Sequence, residues 1–306
     1  MPAFKNIAIL GGTATIGQQL IKDLLANKDE FASVVLLTRD PESTKAKELS
    51  ALGAIPRRLP SELSAPSSRP HLVEALKGID VVVSMVGAAG IPEQEALIYA
   101  SIEAGVTRFI PSEYGINGDL HAPSVGFIGE KVPIRALLRS PEVSVKLEHT
   151  IVLNGYFVDG FFSAFYGWDF DKAPTAVGAR VAGAGDVPIS LTKQTDVAHY
   201  LAEILRAEPA VTRNKVVQVE GDRITWNQAV LLVKELLPGA TMTVNSTTAE
   251  ELEKQVVAAK GYDFVRLSLY LAIVRGQALL SHNHNKLFPA VKPVTARAYL
   301  QTLFNF

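Results

Sequence analysis

A glycine-rich segment, GGTATIG at residues 11–17, follows directly on the apolar run NIAIL at residues 6–10. When a strand turns sharply into a helix, the free N–H groups of the first helical turn and the helix dipole attract a pyrophosphate. Small residues in such a turn let the backbone approach the phosphates closely. The segment therefore predicts a dinucleotide-binding turn. Its predicted cofactor contacts are Gly11, Gly12, Thr13, Ala14, Thr15, Ile16 and Gly17.

One residue departs from the G-x-x-G-x-x-G pattern, since Ala14 stands between Gly11 and Gly17 where a glycine is usual. A methyl group is the smallest possible intrusion, and alanine needs no positive φ if the backbone is extended or right-handed helical there. We therefore expect nucleotide binding to survive. The alternative is an ordinary tight turn in a fold that binds no nucleotide, but the strand before the turn and the helix after it favour binding.

The second apolar run, residues 33–39, ends in Arg39 and not in the acidic residue that typically binds the ribose 2′-hydroxyl of NAD. A carboxylate would repel a 2′-phosphate, whereas a guanidinium can hold it with paired hydrogen bonds. The sequence therefore favours NADP(H), although Asp40 follows directly and Arg39 could instead be a solvated surface side chain. Lys45 and Lys47 on the next helix could add positive charge, and their spacing does not decide between them.

A lysine at position 131 is the candidate for proton transfer. Short-chain dehydrogenases use Tyr-x-x-x-Lys, in which the tyrosine protonates the substrate oxygen and the lysine lowers the tyrosine pKa and holds the nicotinamide ribose. The matching segment here begins with Phe127 and ends with Lys131, so the phenol is absent and the lysine remains. Either Lys131 handles protons, or a substrate group or water does, or there is no catalysis. A solvated lysine at a helix start is the non-functional alternative.

Short apolar runs alternate with helical patterns through the first half of the chain. This alternation implies right-handed crossovers and a parallel, doubly wound sheet, which is an α/β fold of the Rossmann type. Ligands of such sheets bind beyond the carboxyl ends of the strands. The predicted strands are 6–10, 33–39, 53–59, 79–87 and 106–115, and the predicted helices are 16–27, 45–52, 72–78 and 93–105.

The rhythm changes after about residue 155, because the segment 156–192 is rich in glycine and aromatic residues and has no long helical pattern. We predict an NADP-binding Rossmann domain at residues 1–155, completed by a strand near 215–221. Residues 156–306 are expected to form a smaller, mostly helical, C-terminal substrate-binding lobe. The helical patterns in this lobe are 198–207, 226–237 and 249–281.

Composition excludes several classes of function. The chain of 306 residues carries a net charge of −1, which gives no basic footprint for nucleic acid or an anionic membrane surface. It has no cysteine, so disulfides and thiolate nucleophiles are impossible. His282 and His284 have no third ligand at metal spacing, and no G-x-S-x-G nucleophile elbow exists. We expect a cytoplasmic protein with no metal and no membrane span.

Several segments together resemble the NmrA-like, isoflavone reductase-like branch of the atypical short-chain dehydrogenases. The segment AGVTRFIPSEYG, within residues 94–117, is the most specific part of this resemblance. The similarity spans most of the chain. It rests on GGTATIG (11–17), LLTR (36–39), ALKGIDVVVSMVG (75–87), QEALIYASIEAGVTRFIPSEYGIN (94–117), Lys131 with Arg135, TIVLNGYFVDGFF (150–162) and SLTKQTDVAHYLAEILRAEP (190–209).

The resemblance implies a binding site for NADPH along the strand ends. In the family the turn holds the pyrophosphate and an arginine, here Arg39, holds the 2′-phosphate with help from a lysine that is either Lys45 or Lys47. Lys131 matches the lysine that holds the nicotinamide ribose and is proposed as general acid or base. The other residues that match cofactor-lining positions are Met85, Val86, Gly87, Asn154, Tyr156 and Phe157.

The implied activity is that of an NADPH-dependent reductase that delivers hydride to a small aromatic or conjugated carbonyl or enone. Lys131 then supplies a proton or a positive charge where an enolate or phenolate oxygen develops. The predicted substrate contacts are Glu113, Tyr114, Phe161 and Tyr166, with core packing as the alternative for each. A non-catalytic NADP(H) sensor that regulates a partner protein is the second hypothesis. A monomer or homodimer is expected.

Overall fold

The computed structural model describes residues 2–27, 29–120, 126–170 and 175–305, without the side chains of residues 120 and 126–128. The strands in chain order are β1 (Asn6–Leu10), β2 (Ser33–Thr38), β3 (Ile55–Arg58), β4 (Val81–Ser84), β5 (Arg108–Ile110), β6 (Glu148–Leu153), β7 (Tyr156–Phe157), β8 (Trp168–Phe170), β9 (Ala176–Ala182), β10 (Ile189–Thr192), β11 (Lys215–Gln218), β12 (Asp222–Ile224) and β13 (Thr241–Thr247).

The helices lie between these strands and after them. They are α1 (Thr15–Ala26), α2 (Thr44–Ala51), α3 (Arg69–Leu76), α4 (Gln94–Ala104), α5 (Gly126–Arg139), α6 (Pro141–Ser144), α7 (Val158–Phe161), α8 (Gln194–Arg206), α9 (Pro209–Thr212), α10 (Trp226–Leu236), α11 (Ala249–Ala258), α12 (Gly261–Val274) and α13 (Ala296–Leu303). None of the helices in the described ranges is long and apolar enough to cross a lipid bilayer.

Seven strands form one sheet in the order β11-β6-β5-β4-β1-β2-β3, and every pairing in it is parallel. β1, β2 and β4 are covered on both faces, which explains why their buried residues are almost all apolar. In β1, Ile7 and Ile9 face one core with α1, α2 and α8, whereas Ala8 faces the other core with α3, α4 and α5. The predicted Rossmann-type, doubly wound α/β fold is confirmed.

The C-terminal part contains more strand than its sequence pattern predicts. Two additional three-stranded sheets, β12-β10-β7 and β13-β9-β8, surround a separate apolar core that includes Trp168, Trp226 and Tyr270. Where the sequence pattern predicts helix across residues 249–281, the structure has two helices, α11 and α12. The helical conformation is interrupted between them, and Gly261 there has a φ of +55°. The predicted strand near 215–221 is β11, which pairs with β6.

The close approach of α1 to the preceding turn depends on glycine at position 17. A Cβ atom at Gly17 would lie 2.5 Å from the carbonyl oxygen of Gly11 and 2.5 Å from the Cα of Gly12. Both neighbours are backbone atoms, so they can move only if the turn itself changes. Gly17 therefore fixes the distance between the end of β1 and the first turn of α1.

We predict that Gly17→Ala lowers the free energy of unfolding by about 1–3 kcal/mol, because the methyl group overpacks a backbone contact. Gly239→Ala is the control, since a Cβ there meets no heavy atom within 4 Å. It is expected to change stability by less than about 0.5 kcal/mol. Urea unfolding of both variants measures the difference, and equal stability would show that the turn accommodates a side chain at position 17.

Candidate functional site

Three adjoining cavities follow the edge of the large sheet at which the parallel strands end. The turn cavity, about 620 Å³, lies between the turn after β1, the end of β2 and the loop after β4. The central cavity, about 330 Å³, lies between the start of α1, the loops after β4 and β5, and Lys131. The aromatic cavity, about 290 Å³, lies against β7 and α12.

The three cavities form one crevice, because neighbouring cavities share lining residues. Met85, Val86 and Gly87 line both the turn cavity and the central cavity. Tyr114, Lys131 and Phe157 line both the central cavity and the aromatic cavity. A ligand that extends from the glycine-rich turn therefore passes the Lys131 amine before it reaches the aromatic side chains.

The glycine-rich turn presents its backbone to this crevice. Gly11 has φ +81°, and a Cβ there would lie 2.3 Å from the carbonyl oxygen of Met85. Ala14 precedes α1 with φ −86° and ψ 169°, an extended conformation that alanine adopts without strain. Gly12 points away from the crevice, since a Cβ there would meet the side chains of Leu36 and Ile21. The other predicted turn residues, Gly11 and 13–17, line the turn cavity or the central cavity.

The start of α1 has the properties of an anion site. Its N-cap is Ala14, which has no side-chain acceptor and makes no capping hydrogen bond. The N–H groups of the first helical turn have no partners within the helix. They therefore stay available to a phosphate at the positive end of the helix dipole.

Arg39 lines the turn cavity at the end of β2. Its side chain is 56% exposed, and its Nη2 donates to Glu93 Oε2 at 2.5 Å. An exposed guanidinium of this kind can exchange partners at little cost, because surface ion pairs are weak.

The two lysines of α2 differ in position. Lys45 Nζ donates to the carbonyl oxygen of Thr13 at 3.4 Å, so its amine lies at the glycine-rich turn. Lys47 Nζ instead lies 3.1 Å from Glu42 Oε2. Only Lys45 of the two is thus placed beside the predicted phosphate site.

Lys131 lies on α5 and is 8% exposed. Its Nζ donates a hydrogen bond to the carbonyl oxygen of Glu113. Burial lowers the pKa of Lys131 to about 8, the charge of Glu113 opposes this shift, and the charge of Arg135 adds to it. An amine with such a pKa can both give and take a proton near neutral pH.

The carboxylate of Glu113 pairs with a buried arginine. It accepts from Arg135 Nε and Nη2, each at 2.7 Å, and both side chains are 1% exposed. Glu113 lines the central cavity, but its carbonyl oxygen accepts from Lys131 and its carboxylate is enclosed with Arg135, so its contact with a substrate stays a prediction. The sequence alone does not reveal this pairing, because Arg135 lies on α5 and Glu113 lies in the loop after β5.

Tyr114 lines the central and aromatic cavities but does not replace the phenol missing at position 127. Its hydroxyl is buried without a hydrogen-bond partner among the described residues. Burial raises the pKa of Tyr114 far above its usual value, and the charge of Glu113 adds to this effect. The side chain of Phe127 itself lies outside the described part of the chain.

Two predicted site residues belong to the interior. Asn154 is 0% exposed, lines none of the three cavities, and donates to the carbonyl oxygen of Gly155 at 3.3 Å. Phe161 is 0% exposed, and its ring centroid lies 4.5 Å from that of Trp226 in the C-terminal core. Both residues are thus packed in the interior, and their predicted ligand contacts stay predictions.

The aromatic cavity also has walls that the sequence pattern did not indicate. Tyr156, Phe157 and Tyr166 line it together with residues outside the predicted set, which are Gly115, Ile116, Gly155, Gly160, Phe165, Val265 and Leu269. Val265 and Leu269 are four residues apart on α12, so they share one helix face. That spacing was visible in the sequence, but it did not reveal which cavity the face would cover. Gln194, at the start of α8, is a further wall of the central cavity.

We predict that Lys131→Met stabilises the folded protein at pH 7, by up to about 3 kcal/mol. The pKa of Lys131 is about 8 when folded and near 10.5 when exposed, so the unfolded chain binds more protons between these values. Wild-type stability therefore rises with pH across this window, and the advantage of methionine shrinks. Urea unfolding at pH 7 and pH 10.5 tests this.

Lys234→Met on the exposed face of α10 is the control for that experiment. It should show no comparable difference between the two pH values. If Lys131→Met raises the free energy of unfolding by the same amount at pH 7 and at pH 10.5, burial does not disfavour the charged amine.

Plant isoflavone reductase homologues are among the known proteins similar to this chain. An isoflavone reductase homologue of Zea mays is 29% identical, over 96% of this chain and 97% of its own. A phenylcoumaran benzylic ether reductase of Populus trichocarpa is 26% identical, over 97% and 98%. An oxidoreductase of Aspergillus flavus is 27% identical, over 89% and 88%. The similarity thus extends along nearly the whole of each chain.

Solved structures have the same fold. The crystal structure of an isoflavone reductase superimposes with a TM-score of 0.83 at 23% identity, covering 98% of this chain and 100% of that one. A leucoanthocyanidin reductase from Vitis vinifera, in complex with NADPH, gives 0.80 at 20% identity, covering 98% and 100%. The family model described as the NmrA-like family matches residues 4–278. The chain therefore belongs to the NmrA-like family.

Proposed function

We propose that this protein is an NADPH-dependent reductase that delivers hydride to a small aromatic or conjugated carbonyl or enone. The observation that carries the proposal is the place of Lys131, whose side chain lines both the central cavity and the aromatic cavity. A proton donor is thus located where a cofactor along the strand ends would meet a substrate among the aromatic walls.

The residues at the strand ends fit a phosphorylated dinucleotide. Gly11 and Gly17 leave no room for side chains beside the turn, and the uncapped start of α1 offers N–H donors. Arg39 lines the turn cavity together with Asp40 and Glu93, and the amine of Lys45 lies at the carbonyl oxygen of Thr13 in the turn. NADPH, when bound, supplies the hydride. The complexes of similar reductases with this cofactor support the assignment.

The aromatic cavity selects for an apolar, planar substrate. Its walls include Tyr156, Phe157, Phe165 and Tyr166, and the described residues that line it include no arginine or histidine. A carboxylate or phosphate would therefore find no cation there except Lys131. An aromatic ketone, enone or quinone methide has one oxygen for Lys131 and apolar surface for the rest. The related poplar protein is named as a phenylcoumaran benzylic ether reductase, so its substrate is likewise aromatic, although it is an ether.

Lys131 supplies a proton or a positive charge to the substrate oxygen as hydride arrives at carbon. Lys131 is largely shielded from solvent, so the charge of its ammonium group acts more strongly on that oxygen than it would in water. A non-catalytic cofactor sensor needs the turn and Arg39, but it has no need of an amine whose burial destabilises the fold. The buried lysine therefore favours the enzyme.

We predict that Lys131→Ala lowers turnover at least about 100-fold, the size of effect typical for loss of a general acid. Cofactor affinity is expected to change much less, because the turn and Arg39 are untouched. NADPH oxidation with a panel of conjugated ketones and quinones measures turnover, and calorimetry measures affinity. Lys234→Ala is the matched control. Full turnover in Lys131→Ala would remove the lysine from the mechanism.

We also predict that Arg39→Asp weakens NADPH binding at least about tenfold more than NADH binding, since a charge-assisted contact to the 2′-phosphate becomes a repulsion. Lys45→Ala is expected to weaken NADPH binding a few-fold. Lys47→Ala, which removes a cation from the same helix but not from the turn, should leave it within about twofold. Calorimetric titrations compare them, and equal losses for both cofactors in Arg39→Asp would count against Arg39 as the phosphate ligand.

A further inference from the structure

Hydrogen bonds to neighbouring elements hold the loop after β5 in place, whereas an ordinary surface loop makes few such bonds. Ser112 N–H donates to Gln94 Oε1 at 2.8 Å, and Ser112 Oγ donates to the carbonyl oxygen of Val86 at 2.7 Å. The N–H of Tyr114 donates to the carbonyl oxygen of Val152 at 3.1 Å. This loop thus connects the chain after β4 with β6, and its conformation is closely determined.

A further buried contact of this loop is the ion pair between Glu113 and Arg135. Both side chains are 1% exposed, and the guanidinium meets the carboxylate with two hydrogen bonds of 2.7 Å. Arg135 Nη1 also donates to Asn117 Oδ1 at 3.1 Å and lies 3.1 Å from Asp119 Oδ1. One arginine therefore binds three positions of the loop to the body of α5.

The same helix carries Lys131 four residues before Arg135, on the same face. Lys131 donates to the carbonyl oxygen of Glu113, whereas Arg135 holds the carboxylate of that residue. The backbone and the side chain of Glu113 are therefore held by two successive turns of α5. Any rotation of the loop would move the acceptor away from the lysine amine.

A buried ion pair adds little net stability compared with well-packed apolar residues of similar size. The folding of this loop alone therefore does not account for the pair. The position of the Glu113–Arg135 pair is explained if the pair serves to hold the Lys131 amine in one orientation and to set its charge.

We propose that Glu113 and Arg135 are positioning residues for Lys131. The pair holds the turn whose carbonyl oxygen orients the amine towards the junction of the central and aromatic cavities. This role rests on the proposed reductase function. Both side chains are 1% exposed, and both act through the lysine.

The charges around Lys131 predict the direction in which its pKa changes when the pair is altered, and this change can be measured. Burial lowers the pKa of the amine most, Glu113 raises it and Arg135 lowers it. The nearby phenols of Tyr114 and Tyr156 are uncharged, since burial raises the pKa of each. Glu113→Gln removes the favourable charge and leaves that of Arg135, so it lowers the pKa of Lys131 further. General loosening of the site would hydrate the amine and raise its pKa.

The experiment is competitive acylation of the full chain with acetic anhydride at a series of pH values, with Lys131 followed by peptide mass spectrometry. In Glu113→Gln, the midpoint of Lys131 labelling is expected to fall by about one pH unit, at the low end of the effect of a neighbouring charge. The double variant Glu113→Gln with Arg135→Gln should move the midpoint back towards the wild-type value. An unchanged or raised midpoint in Glu113→Gln overturns the proposal.

Glu148→Gln is the matched control, because Glu148 pairs with the other buried arginine, Arg108, at 2.6 Å. It should leave the Lys131 midpoint unchanged, and a shift as large as that of Glu113→Gln would overturn the proposal. For turnover, Glu113→Gln should lower kcat and leave KM for NADPH within about twofold, since the cofactor contacts are intact.

The failures of the two proposals are distinguishable. If no substrate is reduced and NADPH does not bind, but the labelling midpoint shifts as described, the reductase function is wrong and the coupling of the pair to Lys131 stands. If Lys131→Ala loses turnover and Glu113→Gln changes neither kcat nor the midpoint, the reductase function stands and the positioning role is wrong.

Discussion

Desolvation of the Lys131 amine is the constraint around which the crevice is organised. A lysine that is 8% exposed loses most of its hydration, and the nearby carboxylate of Glu113 recovers only part of that loss. The consequence is a pKa lowered to about 8, which places proton transfer within reach near neutral pH. An apolar side chain at this position would pack at lower cost. We therefore propose that the fold tolerates this cost because the amine takes part in proton transfer.

Two parts of the chain meet at this amine, and each contributes a different property. The large parallel sheet contributes the turn, the uncapped start of α1 and the cations near them, which together suit a cofactor. The C-terminal sheets and α12 contribute the aromatic cavity, which suits a substrate. Similar reductases named for different substrates have the same fold, so the choice of substrate depends on the cavity walls rather than on the architecture.

The sequence predicted the large sheet well because strands buried on both faces are apolar throughout, as in β4. It predicted the C-terminal part less well. β13 pairs only with β9 at the edge of its sheet and is mostly exposed, so it carries no apolar run. Site residues divide similarly. Motif residues such as Lys131 are recognisable in the sequence. The surroundings of Phe161 and Glu113 are not, because their partners Trp226 and Arg135 are brought to them only by the tertiary fold.

Ala14 replaces a glycine of the usual pattern, and this replacement is compatible with phosphate binding at the start of α1. The extended backbone at this position has no need of glycine, so the methyl group brings no conformational strain. Serine, threonine or aspartate would cap α1 better, by about 1 kcal/mol, because their oxygens accept from the N–H groups of the first turn. Those same N–H groups are the donors that a pyrophosphate requires. An alanine N-cap leaves them unoccupied, so the helix gives up a little stability and keeps its anion site open.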